Sequence, residues 1–466
     1  MVNLKMNKDG SSFRDPSGFI FYRNEEVYRQ INQLYKQDYD LLFSSGLYEN
    51  LVSKGKLIPH LEVDISAPQP KSFYKIIKPK QIPFISYPYE WSFSQLRDAA
   101  LLTLNIQKVA LNFGMTLKDA SAYNIQFIDG HPIFIDTLSF TRYFDGNPWV
   151  AYRQFCQHFI APLALMSKKE IRTNEFLKLY IDGIPLYLAS KFLPITTWLN
   201  FGLLSHIHIH ALAQKNYKIK DVHLKKSSSS MSKNSLIALI ENLEKTIKNL
   251  NWEPQGTDWL DYYGETNYSE DSFIRKKDIV NDFLSEIQPK TILDLGANTG
   301  IFSRLGVEIQ GCYVVSADID PGAVEINYHE SKREKIKNIL PLVVDLTNPS
   351  PSIGWNNAER SSFTQRAKAD VVMALALIHH LAISNNLPLG EISKSLAEMC
   401  EYLIIEFVPK EDSQVQKLLA ARDDIFPEYT INGFISTFEK DFQLIKQIKI
   451  CNSDRSILLM KSFHTK

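Results

Sequence analysis

The second half of the chain alternates between two textures. Short apolar runs of strand length recur at 291–295 (TILDL), 313–319 (YVVSADI), 340–346 (LPLVVDL), 403–408 (LIIEFV) and 456–462 (SILLMKS), and a further run at 369–381 (ADVVMALALIHHL) reads as a strand continuing into a loop. The stretches between them are long enough for helices. Near-continuous apolar runs suit strands covered on both faces, and strands alternating with helices predict an open, mainly parallel sheet. Ahead of them Leu236, Ile237, Leu239, Ile240, Leu243 and Ile247 repeat at helical spacing and predict a lead-in helix. In the first half, Ser94 to Leu111 and Trp198 to Ala213 read as helices.

A polar stretch at 225–233 (KKSSSSMSK) interrupts the pattern and reads as a flexible connector. It separates an N-terminal α+β domain over residues 1–220 from an α/β domain over 235–466, with 221–234 as the linker. A length of 466 residues agrees with more than one core.

Hydrophobic content of 44% and aromatic content of 12% are ample for globular packing. Formal net charge is zero, so no general attraction to nucleic acid or to an anionic membrane is expected of the chain as a whole. Cys156, Cys312, Cys400 and Cys451 are widely spaced and read as reduced thiols of a cytoplasmic protein. The first residues carry no apolar signal core, and no uninterrupted apolar run reaches the roughly 18 residues of a membrane span.

The chemistry concentrates where the first apolar run ends. Asp294 closes the strand, and Gly296-Ala297-Asn298-Thr299-Gly300 forms a glycine-punctuated turn before a helix-starting segment. In an open α/β sheet a ligand lies over such a strand end, where glycines admit close backbone approach. A dinucleotide fingerprint requires Gly-x-Gly-x-x-Gly, but Asn298 and Ile301 occupy its second and third glycine positions. The Asp294 carboxylate would repel a pyrophosphate and suits a cationic ligand such as S-adenosylmethionine.

This segment resembles motif I of class I S-adenosylmethionine-dependent methyltransferases, with Asn298 in place of the middle glycine. Asparagine tolerates positive φ best among non-glycine residues, so the turn can form. The resemblance implies a Rossmann-like, seven-stranded domain with S-adenosyl-L-methionine as cofactor. Asp294, Gly296, Asn298 and Gly300 would shape the methionine side, Asp318 would bond ribose hydroxyls and Asp345 would contact adenine. Asp320 competes with Asp318 for the ribose, although Asp320-Pro321 more naturally opens the next helix. His379 and His380 fall after the fourth strand, where acceptor-side residues are often placed, and are candidate bases, with Glu406 as the alternative. Trp259, Tyr262, Tyr263 and Tyr268 either close over the cofactor or pack the lead-in helix.

More specifically, the chain resembles the NoeA-like proteins, methyltransferases related to a rhizobial host-specific nodulation protein. The likeness rests on DYYGETNYS at 261–269, DLGANTG at 294–300, LTNPSPSIGW at 346–355, ALALIHHLAI at 374–383 and IIEFVPKEDSQV at 404–415, and extends into 86–104 and 151–166. It implies methyl transfer in the cytoplasm. The expected acceptor is a small molecule or glycoconjugate precursor, methylated on oxygen. A nucleic-acid acceptor is not expected, because the chain is neutral and no Asn/Asp-Pro-Pro-Tyr signature follows the fourth strand.

A second signal lies in the first half. Asp119 and Asn124, followed by an Asp129-Gly130 turn and a strand ending in Asp136, resemble a kinase catalytic loop in which the first acid takes a hydroxyl proton and the other two residues hold magnesium. No glycine-rich loop or Val-Ala-x-Lys strand is evident, Leu117-Lys118 replace the usual His-Arg, and too few residues precede Asp119 for a full N-lobe. The alternatives are a degenerate kinase-like domain, a second phosphotransferase activity, and an ordinary helix–loop–hairpin. A non-catalytic, cofactor-binding scaffold is a further reading of the whole chain. His206 and His210 form an i, i+4 pair if HIHIH is helical, whereas with His208 they would share one face of a strand.

Overall fold

The computed structural model describes residues 7–217, 230–254, 269–420 and 423–464. The chain divides into two compact units, one of residues 1–252 with 352–361, the other of residues 253–351 with 362–466. The aromatic cluster at 259–268 and most of the serine-rich connector lie outside the described residues.

In the first unit, strands Asn7–Lys8, Gly18–Arg23, Glu26–Asn32, Phe73–Pro79 and His60–Glu62 form an antiparallel sheet in that spatial order. This five-stranded sheet ahead of Asp119 is more than the sequence reading allowed. Helix Phe93–Asn112 follows, opened by Ser92, whose hydroxyl accepts from the Gln95 amide while Gln95 reaches back to Ser92. Two small ribbons come next, Met115–Leu117 with Phe140–Arg142 and Ile125–Ile128 with His131–Phe134. Asp129 and Gly130 turn the second ribbon at φ of 54° and 75°, as a two-residue hairpin demands.

Helix Lys233–Lys248 is a correction. Its apolar stripe was expected to lead into the C-terminal domain, yet it belongs to the first unit. Glu241 pairs there with Lys108 at 2.6 Å, and Asn242 accepts from His206 Nε2 at 2.7 Å. Residues 352–361 also join this unit. Arg14 donates two hydrogen bonds to the buried Glu359 carboxylate, at 2.8 and 2.7 Å, and the Arg360 guanidinium lies 4.4 Å over the Tyr123 ring.

The second unit is an α/β domain around one seven-stranded sheet. We label its strands β1 (Thr291–Leu295), β2 (Tyr313–Asp318), β3 (Ile339–Val343), β4 (Ala369–Ala374), β5 (Cys400–Phe407), β6 (Phe442–Lys449) and β7 (Ser456–Ser462). The spatial order is β3-β2-β1-β4-β5-β7-β6. Strands β1 to β5 are mutually parallel, and β7 is antiparallel to both β5 and β6. Strand order reverses between β1 and β4, which opens a crevice over their carboxyl ends. The core beneath it is apolar, with Ile292, Val314, Val371, Met373, Ile404 and Leu459 from five strands packed against Ile279, Val280, Phe283 and Leu284 of helix Glu270–Ile287.

Candidate functional site

The turn after β1 is built from conformations few residues accept. Gly296, Asn298 and Gly300 have φ of 72°, 51° and 80°. Amide groups of Gly296 and Ala297 both donate to the Ala317 carbonyl of β2, at 2.9 and 3.0 Å, which folds the turn over the sheet edge. A Cβ on Gly300 would lie 2.5 to 2.7 Å from the Asn327 amide, so no side chain fits without moving it. Arg304 closes the far side, donating to the Thr299 and Gly300 carbonyls and to Asn327 Oδ1.

Above this turn is a cleft of about 370 Å³, within the range of small-molecule sites. Asp294, Gly296, Asn298, Asp318, Asp345 and His380 line it. Gly300, His379 and Glu406 do not. Leu375, Ala376, Leu377 and Leu381 form the wall after β4, and Ala376 holds φ 51°, a strained backbone for alanine.

Three carboxylates crowd the strand ends. Asp294 accepts from Ser303 Oγ at 2.6 Å, and its pKa is pushed up to about 7 by burial, reinforced by the charge of Asp318 and opposed by Ser303 and Lys276. Asp318 accepts from the Asn298 amide at 2.7 Å and the Asp320 amide at 2.8 Å. Burial nevertheless raises its pKa to about 6, these backbone bonds opposing the shift. A carboxylate oxygen has two acceptor sites, so Asp318 keeps capacity for hydroxyl donors. Asp320 caps helix Pro321–Glu334 through the Gly322 amide at 2.7 Å and does not line the cleft. Asp345 lies just beyond β3 and accepts from the Thr347 amide and hydroxyl at 2.8 and 2.7 Å.

The proposed acceptor side requires two corrections. His379 is buried at 1% exposure, its Nδ1 without a hydrogen-bond partner, and burial plus the charges of His380, Arg455 and Lys276 hold its pKa far below the ordinary value. It cannot reach an acceptor in the cleft. Glu406 is fully buried and paired to Lys276 at 2.6 Å and to Arg455 at 3.5 Å, with Arg455 also bonded to Asp412 at 2.7 Å. A carboxylate clamped between two buried cations is a poor base. His380 does face the cleft, at the head of the π-helical turn His380–Ser384. Burial and Arg455 lower its pKa to about 4, so its imidazole is neutral near pH 7 and less basic than the sequence suggested.

Lys276 lines the cleft and was missed. It had a signal: in helix Glu270–Ile287 the buried positions Ser272, Lys276, Ile279, Val280 and Phe283 follow helical spacing, which places a lysine on an apolar stripe. Burial lowers its pKa against the opposing pull of Glu406, and its ammonium sits 4.6 Å over the Phe302 ring.

In the first unit, Asp136 is ion-paired to Arg29 and accepts from Ser139 Oγ at 2.5 Å. Burial raises its pKa, but Arg29 and Ser139 outweigh that and hold it low. The Asn124 amide donates to Ser139 at 3.2 Å, and Asp119, raised by burial and by Asp136, accepts from the Ser121 amide at 2.9 Å. The three residues share one neighbourhood, with Arg29 on the second acid. The segment around HIHIH is helical: Tyr152 Oη bonds His206 Nδ1 at 2.8 Å and His210 Nε2 at 3.1 Å, while His208 bonds Ser190 and Thr197.

Compared with known proteins, the chain is 34% identical to nodulation protein NoeA of Rhizobium meliloti (strain 1021) over 451 residues, covering 96% of this chain and 94% of the relative. Among solved structures, N-methyltransferase NodS from Bradyrhizobium japonicum WM9 matches 42% of this chain and 98% of its own, at 10% identity and a TM-score of 0.31. Magnesium protoporphyrin IX methyltransferase from Synechocystis PCC 6803, with bound SAH, matches 44% and 92%, at 17% identity and a TM-score of 0.31. No protein-family model matches the sequence.

Proposed function

The chain belongs to the family of nodulation protein NoeA, and from that premise we propose that its second unit is an S-adenosyl-L-methionine-dependent methyltransferase that methylates a hydroxyl of a small molecule or glycoconjugate precursor. The observation that carries this reading is the cleft itself, where Asp294, Asn298, Asp318 and Asp345 from three successive strand ends converge on one concave surface with His380. Carboxylates whose burial already disfavours their charge gain most from a ligand that brings ammonium and sulfonium groups. Asp318 would accept from the ribose hydroxyls, and Asp345 would face the adenine side.

The bound cofactor supplies an electrophilic methyl group. The chain's contribution is alignment and exclusion of water, since displacement at a methyl needs the acceptor in line behind it. Phe273, Phe302, Leu375, Leu377 and Leu381 make that surface apolar. An alcohol oxygen becomes strongly acidic as it acquires the methyl, so a neutral imidazole of low basicity suffices to take its proton. His380 Nδ1 or Nε2 is the acceptor we assign, and the balance closes with an ether, S-adenosylhomocysteine and a proton on His380.

The test is a mass-spectrometric search for new methylated species in extracts incubated with the protein and a cofactor labelled in its methyl group. A labelled ether formed by the wild type, and slowed about 10²-fold by His380→Ala with cofactor affinity kept, is expected. A labelled amine or thioether would overturn the oxygen assignment, and an unchanged rate in the variant would remove His380 from the chemistry. We assign no second activity to the first unit, because Arg29 and Ser139 already engage the Asp136 carboxylate.

A further inference from the structure

The cofactor proposed for the cleft is not only a cation. Its methionine portion carries an α-carboxylate as well as the α-ammonium, and the ammonium nitrogen lies about 2.5 Å from the carboxyl carbon. Whatever group binds the ammonium therefore has the carboxylate beside it. With Asp294 on the methionine side, and Asp318 and Asp345 also lining the cleft, that carboxylate enters among like charges. It needs a donor close to Asp294.

The glycine turn does not supply one. In a phosphate-binding loop the backbone amides point at the ligand, but here each amide from 296 to 300 donates within the protein. Those of Gly296 and Ala297 go to the Ala317 carbonyl at 2.9 and 3.0 Å, and that of Gly300 to the Ala297 carbonyl at 2.9 Å. The Asn298 amide donates to Asp318 at 2.7 Å, and the Thr299 amide to Asn298 Oδ1 at 2.7 Å. The turn shapes the methionine end of the cleft without presenting an amide to it.

Lys276 stands where the donor is required. Among the described residues it is the one lysine or arginine lining the cleft, alongside Asp294 and Phe302. Its ammonium is 2.6 Å from the Glu406 carboxylate and 4.6 Å over the Phe302 ring. The charge of Asp294 also acts on it, supporting the ionised form against burial. A lysine ammonium carries three N–H donors and can serve two carboxylates at once. A second carboxylate in this buried setting favours the charged form that burial opposes, so the Glu406 pair is kept while the cofactor's is gained.

Resting on the reading of the cleft as an S-adenosyl-L-methionine site, we propose that Lys276 binds the α-carboxylate of the cofactor. The cleft thereby selects sulfonium nucleosides that retain this group. The test is calorimetric titration of the full chain with S-adenosyl-L-methionine and with its decarboxylated analogue, which keeps the ammonium, sulfonium and nucleoside. The wild type should bind the first at least ~10-fold more tightly, and Lys276→Met should lose that preference. Thermal unfolding checks the fold of the variant. Should it fail to fold, Lys276→Met with Glu406→Gln removes both partners, leaves Arg455 paired to Asp412 at 2.7 Å, and is read in its place. Equal wild-type affinity for the two compounds overturns the assignment, as does a preference that persists in the folded variant. A variant that weakens both compounds by the same factor makes Lys276 a purely structural residue and overturns it too. Binding of neither compound by the folded wild type overturns the reading of the cleft itself.

Discussion

Asp294→Asn should change how stability depends on pH. In the folded chain Asp294 is 2% exposed and its pKa stands at about 7, raised chiefly by burial. Unfolded, the same group ionises near about 3.9. Between those values the native state holds a proton that the unfolded state has lost, so wild-type stability falls as pH rises and levels off above about 7. From about pH 5 to about pH 8 the loss amounts to about 2–3 kcal/mol at 1.36 kcal/mol per pH unit of unmatched protonation. Asparagine can still accept from Ser303 Oγ, whose hydroxyl is 2.6 Å from the carboxylate, but carries no charge to bury. The variant should therefore gain on the wild type across this range, by about 5–10 °C in melting temperature for a domain near 200 residues. Differential scanning fluorimetry at pH intervals reads it directly. Parallel profiles for the two proteins would refute the argument that burial of an ionised Asp294 opposes folding.

Two further substitutions probe the frame around the cleft. Gly300→Ala puts a methyl group against Asn327, whose amide donates to Ser316 at 2.8 Å, and demands φ 80° of alanine; a loss of about 2–4 kcal/mol in urea denaturation is expected, and a loss under about 1 kcal/mol would mean that the turn relaxes freely. Glu406→Gln strips the anion from between Lys276 and Arg455, and denaturation should show a loss of about 3–5 kcal/mol, whereas near-neutrality would show that Asp412 alone balances the cations.

What the sequence disclosed follows from where physical constraint is local. Strands β1, β2, β3, β4, β5 and β7 were legible because they are largely buried and therefore mainly apolar. β6 was not, because its sequence FQLIKQIK belongs to an exposed edge, where lysines are compatible with a strand. The Asn298 turn could be anticipated since positive φ is a property of the residue itself. Helix Lys233–Lys248 shows the limit of periodicity, which reveals that a stripe is buried but not against which neighbour. The same limit hid the pairing of Lys276, Glu406, Arg455 and Asp412, drawn from three distant segments, and with it the fate of Glu406 and His379. Arg29, which binds Asp136 from 107 residues away, left no mark in the local pattern either.

The central claim is that the cleft over residues 294–300 and Asp318 holds S-adenosyl-L-methionine, and calorimetric titration of the full chain with that compound tests it most directly. The account predicts saturable binding with a Kd on the order of micromolar, weakened at least ~10-fold in an Asp318→Ala variant that stays folded. No heat of binding by the folded wild type, or equal affinity in the variant, would contradict it.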